Sequence, residues 1–195
     1  MTDFIFLSAS IPDAKRDPLY IGTADVVAIR DAVRALATVV LPRATLVWGG
    51  HPAITPLIRV VADGLALTTG DHVRLFQSAY FSGKLPPDNL AFERVTVVPK
   101  VGRSRDRSLN AMRRAMISSE HFRAGIFIGG MDGVEAEYSL FRSLQPQALA
   151  LPVASTGAAA LAIYKRDPDD FPRGLADDFS YIDLFRELLF EAAEL

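Results

Sequence analysis

The run Gly125-Ile126-Phe127-Ile128-Gly129-Gly130-Met131-Asp132-Gly133 carries a short apolar strand straight into glycines, and Val134-Glu135-Ala136-Glu137 behind it opens a segment of helical pattern. Strand, glycine turn and helix in direct succession are the first half of a βαβ unit. They also create an anion site. Backbone N–H groups at the start of a helix, reinforced by the positive end of its dipole, attract negative charge, and residues without a Cβ let a ligand approach the main chain.

The same alternation runs along almost the whole chain, so the sequence predicts a doubly wound α/β fold with a mostly parallel sheet. Strands are expected at Phe4–Leu7, Thr45–Trp48, Val73–Phe76, Val95–Val98, Gly125–Ile128 and Ala148–Val153. Helices are expected from Thr23, as cap, to Val40, from Pro56 to Leu65, from Arg107 to Ser118 and from Val134 to Leu144. A short helix follows, capped by Ser155 or Thr156. Residues 165–178 read as a polar linker. Phe179, Ile182, Phe185, Leu188, Leu189 and Ala192 then form a stripe on a terminal helix over 179–195, to be buried on the sheet or on a partner. The loop Tyr80–Asn89 is either a lid over a pocket or an ordinary surface excursion or subunit contact.

The 195 residues, half of them hydrophobic, suffice for one well-buried domain over 1–195. With 21 basic and 23 acidic residues the formal net charge is −2, which excludes a global field for duplex nucleic acid. No cysteine is present, so disulfides and thiolate chemistry are out. His51, His72 and His121 are too scattered for a metal motif, and no cofactor is called for. The N-terminus lacks a secretory signal and no apolar run reaches membrane-spanning length. The expectation is a soluble, cytoplasmic protein with no membrane partner.

In a doubly wound sheet the ligand lies at the carboxyl ends of the strands. The loops there are rich in small and hydroxyl residues: Ser8-Ala9-Ser10, Gly49-Gly50-His51-Pro52, Gly129 to Gly133 and Ala154-Ser155-Thr156-Gly157. Candidate ligand residues are therefore Ser8, Ser10, Gly49, Gly50, His51, Gly129, Gly130, Met131, Asp132, Gly133, Val134, Ser155 and Thr156. Each has a plainer role open to it. The hydroxyls and Asp132 can cap helices or close turns, and His51 can bond backbone at a helix start while His72 and His121 read as structural. Glu137 stands one turn past Gly133 and can lean toward the ligand, while the helix dipole by itself explains either Glu135 or Glu137. The Arg103-Ser104-Arg105-Asp106-Arg107 cluster follows the fourth strand and can neutralise phosphate or simply be a solvated helix start capped by Ser104.

Gly129-Gly130, Gly133 and Glu137 resemble the PGGxGTxxE signature of the LOG proteins, phosphoribohydrolases within the SLOG group of Rossmann-like nucleotide-binding domains. The helix Arg107 to Met116 is similar to the arginine-and-methionine helix that precedes that signature, and Gly49-Gly50 falls where the group also places glycines. By resemblance Glu137 and Arg107 are the catalytic pair that cleaves an N-glycosidic bond, with Arg113 and Arg114 as alternative arginines. The chain departs from the pattern at Ile128, at the extra spacer residue in Met131-Asp132 and at Val134, which stands in place of the phosphate-facing threonine. The expected function is thus binding or sensing of a nucleotide or NAD-derived, ADP-ribose-like ligand, with LOG-like hydrolysis of a nucleoside monophosphate as the alternative. A homo-oligomer through the terminal helix and an effector partner protein complete the expectation.

Overall fold

A computed structural model describes residues 3–13, 15, 17–83 and 87–191. Lys84-Leu85-Pro86 of the expected loop, and Ala192 with the last turn of the expected terminal helix, lie outside the described residues. Six strands, β1 (Asp3–Ser10), β2 (Ala44–Trp48), β3 (Val73–Ser78), β4 (Val95–Val98), β5 (Ala124–Gly129) and β6 (Leu149–Val153), form one sheet in the order β4-β3-β2-β1-β5-β6. Every pairing is parallel. The chain is an α/β, Rossmann-like fold, and its order of strands reverses between β1 and β5.

Helices cover both faces, as a buried parallel sheet requires. In chain order they are α1 (Pro18–Ile21), α2 (Val26–Val40), α3 (Thr55–Gly64), α4 (Thr69–His72), α5 (Arg105–Ile117), α6 (Asp132–Leu144), α7 (Ala158–Tyr164), α8 (Gly174–Asp177) and α9 (Tyr181–Arg186). Ile29, Ala32, Val33, Leu36 and Val40 of α2 recur at three- and four-residue spacing and are fully buried on one face, together with Ile58 of α3 and Phe185 of α9. On the other face Phe6, Phe127 and Phe141 pack ring against ring with Met112 and Met116 of α5.

Several boundaries differ from expectation for local reasons. Ser8 and Ser10 belong to β1 itself, paired with Phe127 and Gly129 of β5, because the ladder continues past the apolar run. Asp25, not Thr23, caps α2 by accepting from the Ala28 N–H at 2.9 Å. Thr23 instead accepts from the Ala158 N–H at 3.1 Å, so it serves the start of α7 that Ser155 or Thr156 was expected to cap. Residues 165–178 are more than a linker: fully buried Leu175 anchors α8 in the core. Of the expected stripe, Phe185 and Leu189 are buried in the core beside α2, Ile182 and Leu188 are partly buried and Phe179 stays 61% exposed; Tyr181 and Leu184, outside the stripe, are buried with them. The apolar face of this segment is therefore covered by its own domain, and a π-helical turn, Glu187–Glu191, continues it.

Candidate functional site

At the carboxyl edge of the sheet a cavity of about 420 Å³ opens over β1, β2 and β3, between α5 and the start of α6. Ser8, Ser10, Gly49, Gly50, His51, Met131, Asp132, Gly133, Val134 and Glu137 all line it. Segments far apart in sequence meet there because parallel strands all end on the same edge.

Gly129 and Gly130 do not line the cavity; they shape what does. Both have positive φ, 54° and 86°, and both are buried. A Cβ on Gly130 would run into Val134, and one on Gly129 would run into Ile29. The doubled glycine is thus a turn that swings Met131-Asp132-Gly133-Val134, the first turn of α6, over the cavity. Ser155 and Thr156 are also absent from the lining. Thr156 is fully buried, accepts the Gly129 N–H at 2.9 Å and donates to the Val153 carbonyl at 2.5 Å, which pins the glycine turn from behind. The Ser155 hydroxyl bonds the Tyr181 hydroxyl at 3.1 Å.

Glu137 is held from two sides. Ser8 Oγ donates to its Oε2 at 2.6 Å, and Arg113 Nε donates to its Oε1 at 3.1 Å. The Arg113 guanidinium also lies over Gly133, where a Cβ would stand 3.1 Å from its Nη2. Arg107, expected as Glu137's companion, is exposed and not among the lining residues. Helical geometry explains this: Arg105, Leu109, Met112 and Arg113 share one face of α5, whereas Arg107 is rotated about 200° from Arg105. Its N–H is taken by the Ser104 hydroxyl, which caps α5.

His51 combines both roles considered for it. Its Nδ1 accepts the Ala53 N–H at 3.2 Å, which leaves Nε2 as the protonated nitrogen of the neutral ring, and the residue faces the cavity. Of the other lining residues, Phe81 belongs to the loop read as a lid or a surface excursion, and Leu109 and Met112 to the helix that carries the resemblance, whereas Trp48, Ile54, Gln77 and Ser78 were not candidates in the sequence. Gln77-Ser78 closes β3 and was open to the same strand-end reasoning as the other loops. Phe81 brings the loop after β3 to the rim.

Beside the cavity, Tyr20 packs between α6 and α7 and its hydroxyl donates to Glu135 Oε1 at 2.8 Å; Arg166 pairs with the same carboxylate. Burial raises the Tyr20 pKa above the ordinary tyrosine value, the carboxylates of Asp17 and Asp132 add to this, and Arg166 opposes it. Glu135 is thereby spent on a structural clasp. Among the described residues no His, Asp and Glu cluster is arranged to hold a metal ion, and no helix is long and apolar enough to cross a membrane.

A family model described as the SLOG cluster3 family matches residues 19–189, and the chain belongs to that family. Among curated proteins none matches the chain.

Proposed function

We propose that this SLOG-family chain binds a nucleotide or NAD-derived ligand of the ADP-ribose kind in the cavity over β1, β2 and β3, and that it senses this ligand. The observation that supports this reading best is the position of α6: its first turn lines the cavity where the strand order reverses, the place at which doubly wound sheets accept phosphorylated ligands. The phosphate end of a ligand would meet the start of α6, with Arg105 and Arg113 as nearby guanidinium donors. Trp48, Ile54, Phe81, Leu109 and Met112 supply apolar surface for a base. About 420 Å³ falls within the range of small-ligand sites. An effector partner or a second copy of the chain would read the bound state.

Hydrolysis of a nucleoside monophosphate is the second reading, and the Arg113–Glu137–Ser8 cluster favours it. A carboxylate at the cavity wall could orient water toward an anomeric carbon once a ligand had drawn Arg113 away. Against turnover, Glu137 is already engaged on both oxygens, and Val134 offers no hydroxyl to a phosphate.

One experiment separates the readings. Purified protein is incubated with nucleoside monophosphates, NAD and ADP-ribose, following thermal unfolding and release of free base by chromatography. Sensing predicts a raised melting temperature with no free base. Base release that disappears in Glu137→Gln would shift the conclusion to hydrolysis, and a panel without any thermal shift would overturn both.

A further inference from the structure

We infer that Gln77 is a fixed hydrogen-bond acceptor that reads the base of the bound nucleotide and selects adenine through its exocyclic amino group; the inference rests on the cavity being a nucleotide site. Gln77 sits near the end of β3, is 5% exposed and lines the cavity. Its Nε2 donates to the Gly49 carbonyl at 2.6 Å and to the Phe76 carbonyl at 2.9 Å. Two carbonyl oxygens at that range can be met only by an NH₂ group, so chemistry alone fixes which end of the carboxamide is nitrogen. Both N–H donors are consumed. Oε1, at the other end, can only accept, and among the described residues no donor bonds it.

The group is also locked in place. Gly50, at φ +67°, has no Cβ, and one placed there would run into Gln77 Nε2 and come within 2.8 Å of Leu75 Cδ1. The Gly49-Gly50 turn therefore packs directly on the amide nitrogen, and the two carbonyl bonds hold the carboxamide in orientation. An acceptor held in one orientation at the cavity wall discriminates, because a ligand that covers it without a matching donor leaves it desolvated.

Its position suits the base rather than the phosphate. β3 and β5 are three strand spacings apart, roughly 14 Å, so Gln77 and the start of α6 stand at opposite ends of the cavity, comparable with the reach of an extended nucleotide. Phe81, next to this end, offers a ring face for stacking.

The test is calorimetric titration of AMP and of purine riboside 5′-monophosphate, which carries hydrogen in place of the amino group, into the wild-type protein and Gln77→Met. The wild type should bind AMP about tenfold tighter or more. Gln77→Met should bring the ratio close to one; a residue that merely held the Gly49 turn would weaken both ligands alike and leave the ratio intact. Should Gln77→Met fail to fold, N6,N6-dimethyl-AMP, whose amino group has no N–H, replaces it: weak binding like that of the purine analogue supports the inference, and binding equal to AMP overturns it. Equal affinities in the wild type, or a ratio that survives in Gln77→Met, also overturn it while leaving the nucleotide site standing. If neither nucleotide nor ribose 5-phosphate nor ADP-ribose binds, the site reading falls and this inference with it.

Discussion

Arg113 of α5 and Glu137 of α6 form an ion pair at 3.1 Å in which each side chain is only 16% exposed. The pair joins two helices that follow different strands, and it does so at the wall of the cavity. A ligand anion approaching the start of α6 would compete with Glu137 for the same guanidinium. Binding of such an anion would thereby be coupled to the packing of α5 on α6.

Replacing Arg113 by alanine leaves a largely buried carboxylate with the Ser8 hydroxyl as its remaining partner. Chemical denaturation should show a loss of about 1–3 kcal/mol. Because the partners touch, the double variant Arg113→Ala with Glu137→Gln should lose less than the sum of the singles. Strict additivity would mean that the pair contributes nothing.

Thr156→Val keeps the side-chain volume but leaves the buried Gly129 N–H without its acceptor. The expected cost is about 1–3 kcal/mol in denaturant titrations, although Thr156 does not line the cavity. An unchanged midpoint would show that the glycine turn does not depend on this bond.

Gly130→Ala introduces a Cβ at φ 86° in the space of the Val134 side chain, and should cost upwards of about 2 kcal/mol. Adding Val134→Ala removes the contacts with the two Val134 methyls but leaves the Val134 Cβ at 2.7 Å and the backbone strain, so thermal unfolding should show partial recovery. Full recovery would place the whole effect in packing.

How far the sequence revealed this arrangement depended on whether the signal was periodic or depended on neighbours. Ile29, Val33 and Leu36 betray their burial by spacing alone, and strands such as Ile126–Ile128 by their apolar run, so the α/β fold was legible. Gly129-Gly130 marked the turn correctly as a place, but its glycines are required by Ile29 and Val134, which no local pattern links to them. Arg113 in place of Arg107 followed from helical phase relative to Leu109 and Met112, and that phase is set by tertiary packing. Gln77 was passed over because a single amide at a strand end carries no period, and its meaning comes from the carbonyls of Gly49 and Phe76.

Burial raises the pKa values of Tyr20, Tyr138 and Tyr181; at Tyr181 the bond from Ser155 opposes this while the carboxylates of Asp25, Asp31 and Asp178 reinforce it. A folded-state value above the unfolded one means that the native state holds the proton more tightly. Stability is therefore fully present below about pH 10 and is lost as pH rises through the folded values. Denaturation midpoints measured across that range should fall, and less steeply in Tyr181→Phe. A flat profile would contradict the burial of these hydroxyls.

The central claim, a nucleotide site over β1, β2 and β3, is tested most directly by calorimetric titration of AMP and ADP-ribose into the wild-type protein and into Leu109→Trp. Leu109 lines the cavity from α5 and is only partly buried at the edge of the core, so an indole there fills space that a ligand would need. Saturable binding by the wild type, weakened about tenfold or more in a Leu109→Trp protein of unchanged thermal stability, is the predicted result. No binding by the wild type, or equal binding by Leu109→Trp, would contradict it.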